Sequence, residues 1–430
     1  MKFAIPILIC LITFNACKRD QKPLVNEVYT DSLIKHYSLP ETIQKNQIEV
    51  DFWLNRITPN TPDYSNSLKY AAALVARFHL LGNINDLKSA DSVLLAMSSS
   101  FNNKEVGPIF TLVSHAILQH RFMQADSLLD IAKSMGLKKY ESAASSFDVD
   151  FELGKIGQAK IELAKINQQT DFGYQFRNSK MMHYMGELDS SLVAMQKAVD
   201  NAGQDKSLAL SALSNLGDLY LHAGMMNEAY NIFVTCIKAN PADMHSMMGI
   251  GWIAMIKDNN PVLANKIFQF VATKTASPDP LFKLMAVAEY TKDSLGQLKL
   301  AKAFEQKVVN PLYGNMYNKY LIQLYTGILN DHSKAVAIAK SELLNRATPQ
   351  TYAWYVWALI NNRQQDEAFK VYEKNVAGKP LESLELYWMG KMMRSLNKGY
   401  NANQFFKEAN KNNFELNPSV VNDLAILLKE

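Results

Sequence analysis

The chain is poor in the residues and spacings that mark chemistry. Three cysteines stand at positions 10, 17 and 236 of 430 residues, with no CxxC among them. That set builds neither a disulfide framework nor a zinc site. GxSxG, HExxH and a Walker loop are missing, and Gly249-Ile250-Gly251 lacks the rest of a dinucleotide fingerprint. Asp148, Asp150 and Glu152 alternate like the start of a calcium loop. However, the glycine is misplaced, the distal glutamate is missing, and on a helix the three would diverge. His115 and His120 are five apart and so not on one helix face, and the eight histidines read as surface or repeat-turn residues. The formal charge is only +4, with Lys and Arg dispersed and no interleaved aromatics, which argues against nucleic acid. The sequence therefore points away from an enzyme, a metal protein and a cofactor carrier.

What is present is apolar material in a repeating order. Hydrophobic residues make up 48% of the chain, enough for a large core and unlike a disordered composition. At about 150 residues per domain the length suggests two to three domains. A repeat array is exempt from that rule, because each unit stacks on its neighbours indefinitely. The stretch from Leu213 to Pro241 favours such an array. At helical spacing Leu213, Leu216, Gly217 and Tyr220 share one face, and Ala229, Phe233 and Cys236 share a face of a second helix. Gly217 and Ala229 leave room for two backbones to approach, while Tyr220 and Phe233 fill the adjoining space. Gly224 stops the first helix and Pro241 blocks continuation of the second.

This pattern resembles the tetratricopeptide repeat at nearly every diagnostic position. The resemblance covers roughly 64–418. Gly251 follows Gly217 by 34 residues, with Ala264 and Phe268 behind it, and Gly390 follows Val356 by 34, with Ala402, Phe406 and Ala409 behind it. Tyr352, Tyr355, Ala368, Tyr372 and Pro380 fall in register between them. The fold implied is an all-α solenoid of about ten helical hairpins. A C-terminal helix at 419–430, introduced by Asn417-Pro418, would cap its last pair with Val420, Val421, Leu424 and Leu428. Residues 41–63, with Phe52, Trp53 and Leu54 and the break Thr58–Pro62, read as an N-terminal capping helix.

The start of the chain reads as an address. Lys2 precedes FAIPILICLITF, whose 12 residues are too few to span a bilayer comfortably but suit a signal-peptide core. Ala16-Cys17 resembles a bacterial lipoprotein processing site, although Phe14 and Asn15 depart from the usual residues before it. That resemblance implies removal of 1–16, a lipid on Cys17, and a polar tether over 17–40. It also implies an outer-membrane lipoprotein of the cell envelope, periplasmic or surface-facing, since Lys18 and not Asp follows the cysteine.

Members of the repeat family bind partners on the concave face of their first helices. Carried onto this sequence, that places Trp252, Trp357 and Lys391 at one groove position and Tyr387 at another, with Arg394 beside them. The three aromatics either anchor a ligand or pack against the second helix of the adjoining repeat. The carboxylate clamp of chaperone-binding members is not reproduced, since Lys391 and Arg394 come from one repeat only. The expected function is a membrane-anchored scaffold for a protein or peptide in the envelope. The alternative is a surface glycan-binding lipoprotein on the same frame, although close spacing of the repeats leaves no long insertion for a sugar site.

Overall fold

A phenylalanine laid on a glycine joins the helices of the central repeat. The Phe233 ring is fully buried, and a Cβ added at Gly217 would lie 2.6 Å from it. One added at Gly249, in the next repeat, would lie 2.5 Å away on the other side. Gly251 stands in the same relation to Phe268 and Gly390 to Phe406, at 2.6 and 2.5 Å. Small residues on one helix thus admit a ring from the next, and the device recurs along the chain.

The structure, a computed structural model, describes residues 22–57, 63–396 and 400–429. Residues 1–16, read above as a signal peptide, Cys17, and the break at 58–62 lie outside the described residues. Helices α1 (Glu27–Lys35) and α2 (Glu41–Leu54) come first. Ten hairpins follow: α3 (Tyr64–Leu81) with α4 (Ile84–Ser100), α5 (Val106–Leu118) with α6 (Phe122–Ser134), α7 (Lys139–Glu152) with α8 (Ile156–Lys165), α9 (Phe172–Tyr184) with α10 (Leu188–Asn201), and α11 (Lys206–His222) with α12 (Met226–Ala239). The remaining five are α13 (Met244–Ile256) with α14 (Pro261–Ala272), α15 (Asp279–Tyr290) with α16 (Ser294–Val308), α17 (Asn318–Thr326) with α18 (His332–Asn345), α19 (Pro349–Asn361) with α20 (Gln365–Asn375), and α21 (Ser383–Leu396) with α22 (Ala402–Lys411). Helix α23 (Pro418–Leu427) ends the chain, and no strand occurs among the described residues. This is an all-α solenoid of helical hairpins.

Local chemistry sets the boundaries. Asp205 caps α11 by accepting from the amides of Ser207 and Leu208, and Gly224 ends that hairpin arm at φ +69°. Asn260 caps α14 ahead of Pro261 in its first turn. Between α16 and α17 a 3-10 turn, Pro311–Tyr313, widens the step from one hairpin to the next. Aromatic pairs bridge it: Phe282 and Tyr320 with centroids 4.5 Å apart, Phe304 and Tyr317 at 5.5 Å.

The solenoid winds until its turns touch. The Ala276 amide donates to the Leu81 carbonyl at 2.7 Å, and the Gln119 side chain donates to the Leu312 carbonyl at 2.6 Å. One hairpin further on, Asn345 donates to the His120 carbonyl at 2.7 Å, and Arg346 reaches Glu152 at 3.3 Å. Hairpins one to three therefore lie against the connections and helices of hairpins six to nine. The superhelix gains contacts that a strictly nearest-neighbour array lacks.

The N-terminal segment differs from the tether expected over 17–40. Its described part is a strap across the sixth hairpin. The amides of Leu24 and Val25 both donate to Asp258 at 2.8 Å, Val25 is buried, and Tyr37 meets Phe270 edge-on at 5.2 Å. Thr30, Leu33 and Ile34 give α1 its packed face, and Tyr37 just beyond its end continues it at helical spacing. In α2, Val50 and Asn46 face α3, where Asn46 donates to the Ala73 carbonyl at 3.0 Å, while Phe52 and Leu54 stay exposed. Helix α23 buries Leu424 on the last hairpin, with Val420, Val421 and Leu428 packed around it. It also reaches α15, three hairpins back.

Candidate functional site: the interior of the superhelix

First helices line the inside of the winding and enclose two adjoining cavities of about 330 and 380 Å³. Lys319, Tyr320 and Glu382 belong to both. Helix α17 carries Lys319 between two carboxyls: its Nζ lies 2.8 Å from Glu385 and 3.2 Å from Glu382. Glu385 is wholly buried on α21 and also accepts from the Trp354 indole at 2.7 Å, while its Oε2 has no hydrogen-bond partner. Burial pushes the Glu385 carboxyl above the usual carboxylate range, against the pull of Lys319. The same ammonium holds Glu382 below that range. Burial works against the Lys319 charge, yet the two carboxyls keep its pKa above that of an ordinary lysine. One cation thus serves two acids, and Glu382 carries the formal partner charge.

The 330 Å³ cavity lies where two turns of the superhelix meet. The early turn supplies His120 and Glu152, the late turn Arg346 and Trp354. Burial and the Arg346 charge lower His120 to about 4, so its imidazole is neutral at physiological pH, and its Nδ1 has no hydrogen-bond partner. Glu152 is half-buried; desolvation would raise its carboxyl, but Lys180 at 2.6 Å and Arg346 at 3.3 Å hold it below the usual range.

The 380 Å³ cavity has aromatic walls, Trp252, Phe282 and Tyr320, and Lys283 among its cationic lining residues. Lys283 sits 3.7 Å from the Trp252 ring centroid and makes no ion pair among the described residues. Burial lowers it to about 8, only partly countered by Asp218 and Asp279. Across the same space His245 lies 2.8 Å from Asp218. Burial opposes the imidazolium, but the Asp218 hydrogen bond and charge win, and His245 is raised to about 9. The folded pKa exceeds the unfolded value of about 6.5. The interaction is therefore complete below about 6.5 and is lost as pH rises through 9. Proton-detected titration of the His245 ring should give a midpoint near 9, and Asp218→Asn should bring it below 6.5. A midpoint near 6.5 in the unaltered protein would contradict this electrostatic picture.

The candidate groove residues are engaged with the protein itself. Trp252 is buried, with its indole N–H donating to the Phe414 carbonyl at 3.0 Å. Trp357 is half-buried, donates to Thr326 Oγ1 at 3.1 Å and stacks flat on Trp388 with centroids 5.5 Å apart. Tyr387 donates to Asp423 at 2.5 Å, and Lys391 lies 3.0 Å from the same carboxylate. Arg394 adds its charge to the field that lowers Asp423. Tyr387, Lys391 and Arg394 thus share one task, holding α23, while Trp252 lies three hairpins away in sequence order from Trp357 and in a separate packing cluster.

Sequence reasoning missed Lys283, Lys319, Glu382, Glu385 and Arg346. One signal was available for the first: Lys283 stands 35 residues after Met248, at the equivalent groove position of a hairpin whose other marks are weak. The Lys319 cluster draws on three hairpins and left no signal within any one of them. Asp148, Asp150 and Glu152 do diverge, pairing with Arg177, Lys155 and Lys180 respectively. His115 departs from the surface reading; it is buried against Asp91 at 2.6 Å.

No protein-family model matches the chain, and no curated protein matches it. Solved structures do. A tetratricopeptide repeat protein from Parabacteroides merdae is 14% identical, with a TM-score of 0.34 over 68% of this chain and 99% of that one. PilF of Pseudomonas aeruginosa is 13% identical, with a TM-score of 0.36 over 49% of this chain and 96% of its own. A human IFIT1 dimer with PPP-AAAA is 11% identical, with a TM-score of 0.47 over 77% of each. Each likeness is one of fold alone, that of stacked helical hairpins.

Proposed function

We propose that this chain is a non-catalytic scaffold of the bacterial cell envelope. Cys17 carries its lipid anchor, and the interior of the superhelix receives a protein or peptide. The observation that carries the reading is the unpaired Lys283 beside the aromatic walls of an open cavity, on the face made by first helices. A cation without a carboxylate and large apolar side chains around it are what a peptide with acidic and apolar groups requires. The anchor rests on the lipoprotein-like start; no described helix is long and apolar enough to cross a membrane. Acyl chains at about 0.8 kcal/mol per buried CH₂ would hold the protein on the bilayer. The glycan reading is weaker, because Lys283 covers the Trp252 ring on which a sugar would stack.

Crosslinking in native envelopes, followed by affinity recovery, tests this. The unaltered chain should yield a discrete envelope protein, Lys283→Glu should recover at least fivefold less, and Cys17→Ser should leave the membrane fraction. Recovery of nothing by the unaltered chain, with Cys17→Ser unmoved, would overturn both the scaffold and the anchor.

A further inference from the structure

Between α22 and α23 the chain crosses the inside of the superhelix, 128 to 193 residues in sequence from the groups it meets. Its anchors fall on three consecutive first helices. At α11, the Phe414 ring lies against Gly224, leaving no room there for a Cβ, and His222 Nδ1 bonds the Glu415 carboxylate. At α13, Trp252 donates to the Phe414 carbonyl at 3.0 Å. At α15, Glu289 accepts from Asn417 at 2.9 Å and from Ser419 at 2.8 Å, and Leu416 is buried between these points. Among the described residues Glu289 accepts from no other side chain, and the Trp252 indole has no other acceptor. These groups therefore form a row of polar positions that only this segment satisfies. The segment does not fill the space it crosses: Glu415, Leu416 and Asn417 form one side of the 380 Å³ cavity, and unpaired Lys283 lies on another.

We propose that this row on α11, α13 and α15 is a docking groove for a partner segment with an aromatic residue followed directly by a carboxylate and an aliphatic residue, and that Phe414-Glu415-Leu416 is its resident competitor. The inference rests on the peptide-binding reading above and names the chemistry of the peptide. Each position in the row specifies one feature of the occupant. Gly224 receives the flat ring, His222 the carboxylate, Trp252 a backbone carbonyl, and Glu289 the donors three and five residues past the ring. Burial opposes the His222 charge, but Glu415 prevails and raises its pKa, so the carboxylate position is specific for an anion. A partner that continues past the segment finds Lys283 in the unfilled part of the cavity and can give it a second carboxylate. A short connection between two helices opens at lower free energy than the packed interior of a solenoid, so the competitor can leave without unfolding the frame.

The test uses the full chain and a fluorescent peptide of the sequence Asn412–Pro418, read by anisotropy. The resident segment acts at a high effective concentration in the unaltered protein. Phe414→Ala/Glu415→Ala should therefore bind the peptide at least tenfold more tightly, and adding His222→Ala should remove that gain. A peptide with the same residues scrambled should not compete. Equal or absent binding to both proteins, with helical circular dichroism retained, overturns the groove. Should the double variant fail to fold, hydrogen exchange on the unaltered chain decides. Amides of 413–427 should exchange at least tenfold faster than those of α13, and faster still with excess peptide; protection equal to α13 overturns the proposal. Loss of peptide binding while an envelope partner is still recovered would overturn this groove and leave the scaffold reading intact.

Discussion

Lys319→Met lowers the stability of the protein by about 3–5 kcal/mol near pH 7.5, because it strips the buried Glu385 carboxyl of its cation; the exposed Glu382 carboxylate loses the same partner at little cost. Glu385 bears most of the loss, being wholly buried with one oxygen already lacking a partner. The sign of the pH dependence follows from its raised pKa. A carboxyl whose folded pKa lies above the unfolded one resists ionisation in the fold. The variant is therefore less impaired near pH 4.5 than at pH 7.5, and the deficit grows as pH rises between the two pKa values. Lys319→Met/Glu385→Gln should recover most of the stability, since the amide keeps an acceptor for Trp354 at no charge. Denaturant unfolding at both pH values checks this. An equal deficit at pH 4.5 and 7.5, unrelieved by Glu385→Gln, would show that Lys319 acts by packing and not by charge.

Phe233→Ala costs about 3–5 kcal/mol, the range for removing a fully buried ring. Its second consequence is sharper. In the unaltered protein Gly217→Ala places a methyl 2.6 Å from the ring, and the ring is held on its other side by Gly249. The substitution should then destabilise by about 1–3 kcal/mol despite the better helix propensity of alanine. In the Phe233→Ala background the same methyl has room, and propensity makes Gly217→Ala neutral or stabilising by up to about 1 kcal/mol. Contacting residues couple in this way. A Gly217→Ala effect of the same sign and size in both backgrounds would contradict the lock between the fifth and sixth hairpins.

That lock explains how much was legible. Gly217, Ala229 and Phe233 lie within one hairpin, so their spacing along the chain reports their packing directly, and the hairpin count follows from the recurrence. Lys319, Glu382 and Glu385 meet only because the superhelix brings the eighth hairpin onto the tenth, and His120 meets Asn345 only because it completes a turn. Superhelical pitch comes from small rotations summed over many hairpins, and no local residue pattern carries that sum. The strap at 24–37 is a different failure. Its helical spacing was present, but it lies among polar residues, and only the sixth hairpin with Asp258 gives it a surface to pack on. Tyr387 and Lys391 were placed on the inner face by their repeat positions. What the sequence could not show was that Asp423 would occupy them.

The central claim is that the inside of the superhelix, and not its outer surface, meets the partner. A photoreactive benzoylphenylalanine at Gln323, on the wall of the 380 Å³ cavity, compared with one at Leu95, exposed on α4, tests it most directly. Irradiated envelopes should give a discrete protein adduct from position 323 and none from position 95. An adduct from position 95 alone would contradict the account and move the partner to the outer face.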